Sequence, residues 1–180
     1  MKIIDRAYVE AHTEEIAEAI IRGDIFIYPT DTIYGLGCNA LLDTSVIKIR
    51  EIKKRDTRPF SIAAPSKEWI EENCEIDRKT IDKYLPGPYT LFVRRGNSKV
   101  SCEVNFKDDT IGVRIPKHWF ASLISQAGVP FVSTSVNLSG ERHMEKLEDV
   151  EESILNQVDY CVYEGQKIGE SSEKIKVYNQ

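Results

Sequence analysis

The sequence predicts an α/β fold: an open, twisted sheet of mixed parallel and antiparallel strands with flanking helices. Two patterns carry this expectation. Short apolar runs alternate with segments whose apolar residues recur at helical spacing, as in strands connected through helices. The strand-like runs Thr90–Arg94 and Ile111–Ile115, in contrast, follow each other without a convincing helix between them, which implies some antiparallel pairing. With 180 residues, 41% of them hydrophobic, the chain is long enough for one well-buried core and short for two. Residues 1–180 read as a single domain without repeats, linkers or low-complexity tracts.

The elements follow in order. Thr13 caps a helix that turns Ile16, Ala17, Ile20 and Ile21 inward, and Gly23 stands where a helix end favours a left-handed residue. A strand over Asp24–Pro29 comes next. Asp43, Thr44 and Ser45 offer caps to a helix carrying Val46, Ile47, Ile49 and Ile52, which ends in Lys53-Lys54-Arg55. Phe60–Ala64 is a short buried strand. Lys67–Asn73 and Arg78–Tyr84 are helices, stopped at Leu85-Pro86-Gly87-Pro88 because proline lacks the backbone donor. After the two strands already named, His118–Ala127 is a helix closed by Gly128, and Val129–Thr134 a strand. Leu147–Gln157 reads as a surface helix, Tyr160–Tyr163 as a strand, Gly165–Glu173 as a polar loop and Ile175–Tyr178 as a last short strand.

Bulk properties narrow the function. A net charge of -5 and a pI near 5.3 exclude a protein that coats nucleic acid, so any polyanion contact is local. Cys38, Cys74, Cys102 and Cys161 form no C-x-x-C pair and read as reduced, mostly buried thiols. The N-terminus lacks the apolar core of a signal peptide, and no run reaches the roughly 20 apolar residues of a spanning helix, so a soluble, cytoplasmic protein without membrane contact is expected.

Two polar clusters sit at strand ends. In YPTDTIYGLGCNA, Tyr28–Ala40, the side chains of Thr30, Thr32 and Tyr34 share one face if the segment is extended, and Gly35 and Gly37 allow close approach to a bound group. The second, Ser133–Gly140, reads STSVNLSG; its hydroxyls and amides either make tight turns or form a nest for phosphate oxygens. Two such mouths suggest one shared pocket.

From Lys48 to Arg58 six basic side chains face only Glu51 and Asp56. Most charge runs are solvated helix faces, but this one lies between a polar strand end and a strand, where Lys and Arg side chains suit a triphosphate and a carboxylate. Cationic heads exposed in such a cavity contribute little to stability, so replacing Lys53 or Arg55 is expected to spare the fold. Neither a P-loop nor a dinucleotide-binding glycine pattern occurs, and His12, His118 and His143 have no ligand spacing, so no protein-held metal is expected. Asp31 holds a magnesium ion or caps its neighbouring turn, the second reading being the simpler.

Taken together, YPTDTIYGLGCNA, Lys53-x-Arg55, Leu85-Pro86-Gly87-Pro88-Tyr89-Thr90, Gly112-Val113-Arg114-Ile115-Pro116 and STSVNLSG resemble the YrdC/YciO family of threonylcarbamoyl-adenylate synthases, over roughly residues 10–178. The resemblance implies a YrdC-like sheet around a concave, positively lined cavity. It also implies a nucleotidyltransferase reaction in which L-threonine, bicarbonate or carbon dioxide, and ATP with Mg2+ give threonylcarbamoyl-AMP and pyrophosphate. That product feeds N6-threonylcarbamoyladenosine formation at position 37 of tRNA through a separate transferase complex. By resemblance, Lys53, Arg55, Ser135 and Asn137 form the catalytic set, and Thr30, Thr32, Tyr34 and Arg55 meet threonine. Lys53, Arg114, Ser133, Ser135, Asn137 and Ser139 meet the nucleotide. The sequence departs from the family where Gly169–Ile175 replaces a proline-serine-threonine-isoleucine turn, and it ends at Gln180, ahead of the family's closing segment; a short form is expected. The alternatives are a YciO-like paralogue acting weakly or on another carbamoyl substrate, which the intact Lys53-x-Arg55 and Ser135-x-Asn137 disfavour, and an RNA-binding module, which the acidic charge disfavours.

Overall fold

A computed structural model describes residues 1–55 and 57–177. Its elements are β1 (Lys2–Ile4), α1 (Arg6–Ala11), α2 (Thr13–Arg22), β2 (Phe26–Tyr28), β3 (Gly35–Gly37), α3 (Asp43–Lys53), β4 (Ser61–Ala63), α4 (Lys67–Asn73), β5 (Cys74–Glu75), α5 (Arg78–Tyr84), β6 (Tyr89–Arg95), β7 (Thr110–Arg114), α6 (Phe120–Ala127), β8 (Phe131–Ser135), α7 (Glu152–Leu155), β9 (Tyr160–Val162) and β10 (Glu173–Lys176). The strands join one sheet in the order β1-β9-β2-β3-β8-β4-β7-β6-β10, with β5 added beside β6. Pairing is mixed, as expected: β2 lies parallel to β9 and β4 to β7, whereas β3 runs antiparallel to both β2 and β8, and β6 antiparallel to β7.

The two-residue period of a strand divides the core. Ile25 and Ile27 turn to one side of the sheet, where Val46, Ile49 and Ile52 of α3, Ile70 of α4 and Ile81 of α5 cover them along with Val93, Val113 and Val132. Phe26 and Tyr28 turn to the other, against Val9 of α1, Ile16 and Ile20 of α2 and Phe120, Leu123 and Ile124 of α6. Strands buried on both faces carry apolar residues in succession, which is why they read from sequence as continuous runs.

Several boundaries differ from expectation, each for a tertiary reason. Thr13 does not cap α2: His12 holds that position, and the Thr13 hydroxyl donates to the Val9 carbonyl at 3.0 Å, because α1 leads directly into α2. Ile21 faces solvent, 48% exposed. Nor do Asp43 and Ser45 cap α3, whose N-cap is Leu42; Asp43 accepts the Ser101 hydroxyl, and the Ser45 hydroxyl donates to the Gly23 carbonyl at 2.9 Å. The helix expected over Leu147–Gln157 is a 3-10 turn, Leu147–Asp149, followed by the single turn of α7, since the Asp149 carboxylate accepts the Glu145 and Lys146 amides at 3.2 and 3.0 Å. Sequence reading passed over β1, β5 and α1; α1 is capped by Asp5, which accepts the Tyr8 amide at 2.8 Å. The last strand is Glu173–Lys176, and the expected end at Tyr178 lies outside the described residues, as does Asp56 of the basic run. Three of the thiols, Cys38, Cys74 and Cys161, are buried; Cys102 is exposed.

Candidate active site

The β2–β3 connection makes one wall of a cavity of about 460 Å³. The Thr30–Tyr34 segment is not extended. The Thr30 hydroxyl accepts the Thr32 amide at 3.1 Å and donates to the Ile33 carbonyl at 2.7 Å, which folds the segment into a tight turn with Thr32 Oγ1 3.0 Å from Thr30 Oγ1. Thr30, Thr32 and Tyr34 nevertheless all line the cavity. The Tyr34 ring is buried; its hydroxyl donates to the Gly165 carbonyl at 2.7 Å and accepts the Glu164 amide at 3.0 Å, and burial pushes its pKa up to about 12. Tyr34 therefore offers a ring, with its hydroxyl already engaged. Gly35 lines the cavity, and both glycines also serve the packing of the sheet. A Cβ on Gly35 would meet the Tyr28 ring at 2.7 Å and one on Gly37 the Val132 carbonyl at 2.2 Å, so the missing side chains let β3 lie close to its neighbours.

Arg114, at the end of β7, is 5% exposed and reaches the same wall. Its Nη2 donates to Asp31 Oδ1 at 2.6 Å, and both Nη atoms lie 3.4 Å from Thr32 Oγ1. Asp31 also accepts the Lys117 amide at 2.9 Å. Neither reading of Asp31 holds: its carboxylate neither caps its turn nor stands free for a metal, because it neutralises Arg114.

The basic run divides in two. Lys53, in the last turn of α3, is 1% exposed and lies under the cavity wall, not in it. Its ammonium donates to the Ser135 carbonyl, to the Asn137 carbonyl at 2.7 Å and to Asn137 Oδ1 at 2.9 Å. Burial, with the Arg55 charge adding to it, pulls its pKa down to about 7, while the match of three acceptors to three N–H donors works the other way, in favour of the charged form. Lys53 thus fastens the β8 turn, and the expectation that it projects into the cavity is corrected: the helix end points it under the sheet. Arg55, one residue past the left-handed Lys54 (φ 48°), does line the cavity. Its Nη2 donates to the Pro59 carbonyl at 2.7 Å and its Nη1 to Thr134 Oγ1 at 3.3 Å, and its guanidinium lies 4.9 Å from the Phe60 ring centre. Burial, followed by the charges of Arg50 and Arg58, pulls Arg55 down to about 10.

Of the two readings of STSVNLSG, the tight turn is realised in its second half, and the first half lines the cavity. Ser133, Thr134 and Ser135 line the cavity from β8. The rest is a tight turn: Ser135 Oγ donates to Asn137 Oδ1 at 2.6 Å, Asn137 Nδ2 to the Glu141 carbonyl at 2.6 Å, and the Ser139 amide to the Lys53 carbonyl at 3.0 Å. Asn137 and Ser139 do not line the cavity. Sequence reasoning missed Ser61, Thr90, Ser171, Ser172 and Lys174, all on its wall; Thr90 and Ser172 share a hydrogen bond of 2.6 Å. Hydroxyls inside otherwise apolar strands at Ser61 and Thr90 were an available signal; nothing local marks Lys174.

Arg55, Arg58 and Lys174 surround this space, and among the described residues none of them forms an ion pair with a carboxylate. Among the described residues no group of three or more His, Cys, Asp or Glu side chains is placed to hold a metal, and no helix is long and apolar enough to cross a membrane. The geometry thus suits an anionic ligand with hydroxyl or amide edges, held by cations whose charge no carboxylate offsets among the described residues.

A family model described as Sua5/yciO/yrdC, telomere recombination, matches residues 18–180. The chain belongs to the Sua5/YciO/YrdC family. A Methanocaldococcus jannaschii relative is 34% identical over 91% of this chain and 79% of its own length. A Buchnera aphidicola protein named threonylcarbamoyl-AMP synthase is 34% identical over 86% of this chain and 84% of its own. In structure, P. abyssi Sua5 complexed with L-threonine superposes over 98% of this chain with a TM-score of 0.86 at 28% identity. This chain spans 54% of that Sua5 chain, so it matches about half of the larger protein. The mixed sheet expected from sequence is thus the Sua5/YciO/YrdC sheet.

Proposed function

We propose that this chain is a threonylcarbamoyl-AMP synthase, with residues 1–180 as one YrdC-like domain. Curated relatives bear that name, and a structural relative binds L-threonine. The observation that carries the reading is the cavity itself, where Arg55, Arg58 and Lys174 gather without acidic partners among the described residues, in a chain of net charge -5.

The chemistry asks for little beyond placement and charge. The threonine amine adds to carbon dioxide, drawn from bicarbonate, and loses a proton to give a carbamate. A carbamate oxygen then attacks the α-phosphorus of ATP in line, and the bond to pyrophosphate breaks. Negative charge builds on the phosphoryl oxygens and the leaving group, where fixed cations stabilise the transition state more than the ground state. Arg55 faces the phosphates and the carbamate or carboxylate. Thr30 and Thr32 with the Tyr34 ring shape the threonine pocket, and Arg114, Ser133 and Ser135 contact the nucleotide. Lys53 acts from beneath by holding the Ser135 backbone and Asn137 by accepting the Ser135 hydroxyl, and Ser139 holds the end of α3. Magnesium comes bound to the ATP oxygens, since Asp31, the carboxylate beside the cavity, is taken by Arg114. The adenylate passes to a separate tRNA threonylcarbamoyl transferase complex for N6-threonylcarbamoyladenosine formation at position 37, so tRNA is met only indirectly, and the setting is the cytoplasm.

Incubating the purified chain with ATP, L-threonine, labelled bicarbonate and magnesium tests this. Threonine-dependent pyrophosphate release and a labelled adenylate are expected; turnover of another amine with none of threonine would overturn it.

A further inference from the structure

Arg50 belongs to neither the cavity wall nor the motif Lys53-x-Arg55, yet it touches the Arg55 and Arg58 carbonyls and the Phe60 ring against which Arg55 lies. It lies on α3 and is buried. Its Nη1 donates to the carbonyls of Arg55 and Arg58, each at 3.2 Å. Its Nε donates to the Glu103 carbonyl at 2.8 Å, and its Nη2 to the same oxygen and, at 3.4 Å, to Val104. The guanidinium carbon lies 4.7 Å from the centres of both the Phe60 and Phe106 rings, and Phe60 also carries Arg55.

We infer that Arg50 is a positioning residue: its planar fork pins the Arg55 and Arg58 carbonyls to the 103–104 segment and so fixes where Arg55 and Arg58 point into the cavity. Three properties make the fork necessary. The chain leaves α3 through the left-handed Lys54, and the Arg55 amide keeps one bond back to the helix, to the Arg50 carbonyl at 3.0 Å. The carbonyls to be held lie on two separate segments, which a guanidinium bridges in one plane and an ammonium does not. Flat stacking on aromatic faces likewise suits a guanidinium. The Arg50 charge also stands among the cations near Arg55, so losing it changes both geometry and field.

The effect on ATP rests on the synthase reading; the effect on Arg55 does not. The test therefore reads both in Arg50→Lys, which keeps charge and length, and in Phe106→Leu, which alters a half-exposed ring at little risk to folding. In a proton–nitrogen correlation spectrum, the Arg55 side-chain Nε–H signal is expected sharp and dispersed in the parent, collapsed toward the free-arginine position in Arg50→Lys, and part-way there in Phe106→Leu. By calorimetry, Arg50→Lys is expected to lose about tenfold in ATP affinity, the size of one or two charge-assisted contacts, with L-threonine affinity within about twofold. An unmoved Arg55 signal in both variants would overturn the inference, as would unchanged ATP binding in an Arg50→Lys protein whose parent binds ATP. A parent that binds neither ATP nor threonine would instead count against the proposed function, and the Arg55 signal would still decide the role of Arg50.

Discussion

Lys53 and Asn137, 84 positions apart in sequence, are joined by a hydrogen bond of 2.9 Å from the Lys53 ammonium to the Asn137 side-chain oxygen. Two further bonds from that ammonium reach the Ser135 and Asn137 carbonyls, so a single buried cation ties the end of α3 to the strand end that supplies the Ser133–Ser135 wall. Convergence of the basic run with the second polar cluster thus has a physical agent, and it differs from the exposed phosphate ligand that a charge run suggests.

Removing that agent should damage the fold. Lys53→Met keeps the stem and takes the ammonium from the Ser135 and Asn137 carbonyls and from Asn137 Oδ1, which keeps the Ser135 hydroxyl, offset in part by relief of a buried charge; a loss of about 3 kcal/mol is expected. Urea unfolding measures it, and a change below about 0.5 kcal/mol, the scale of an ordinary surface substitution, would mean that water replaces the ammonium at no cost.

Arg55 should separate from Lys53 in this respect. It is half-buried at the cavity wall with neutral oxygen partners, so Arg55→Ala should cost roughly 1 kcal/mol of stability while lowering kcat/KM for adenylate formation by about 100-fold or more. Turnover equal to the parent's would remove Arg55 from the site.

Lys174 reaches the cavity from the opposite side, on β10. Lys174→Met should raise the Kd for ATP about tenfold, one charge-assisted contact being worth roughly 1.5–3 kcal/mol, and leave L-threonine binding alone. Equal loss for both ligands, read by calorimetry, would indicate a general disturbance of the strand.

Gly37→Ala should be among the most disruptive of small substitutions. Its Cβ would lie 2.2 Å from the Val132 carbonyl, and since the obstacle is backbone, β3 and β8 must separate; about 3 kcal/mol is expected from overpacking. A thermal midpoint matching the parent's would mean that the sheet spreads freely there.

The loop after β9 should loosen in acid. Burial holds the His118 imidazole below its ordinary 6.5, an effect that the nearby Glu164 only partly opposes. Glu164 lies below its ordinary 4.5: burial raises it, but hydrogen bonds from Trp119 and Lys167 and the His118 charge together outweigh that. In both cases the unfolded chain binds its proton at higher pH than the folded one, so stability falls with pH, first below 6.5 through His118 and then below 4.5 through Glu164. The urea midpoint should therefore drop between about pH 7 and about pH 5, and the drop should shrink in His118→Asn. An equal drop in that variant would assign it to other groups.

Much of this was legible in the sequence. The continuous apolar run Ile25–Ile27, helical spacing in Ile16–Ile20 and the proline block at 86–88 act through neighbours in the chain, so they reveal strands, helices and stops without a fold. The motifs around Tyr28–Ala40 and Ser133–Gly140 likewise located the two halves of the site. Local pattern misled wherever a distant partner outbid a local bond: Asp43 and Ser45 left their capping positions for Ser101 and Gly23, and Asp31 its turn for Arg114.

What the sequence by itself determined is the identity of the parts, an α/β chain with two hydroxyl-rich strand ends and one basic run. The tertiary structure alone decided their orientation, since whether Lys53 points under the sheet while Arg55 points into the cavity depends on the left-handed turn at Lys54 and on oxygens more than 80 residues away. A hydrogen bond depends on distance in space, and distance along the chain does not report it.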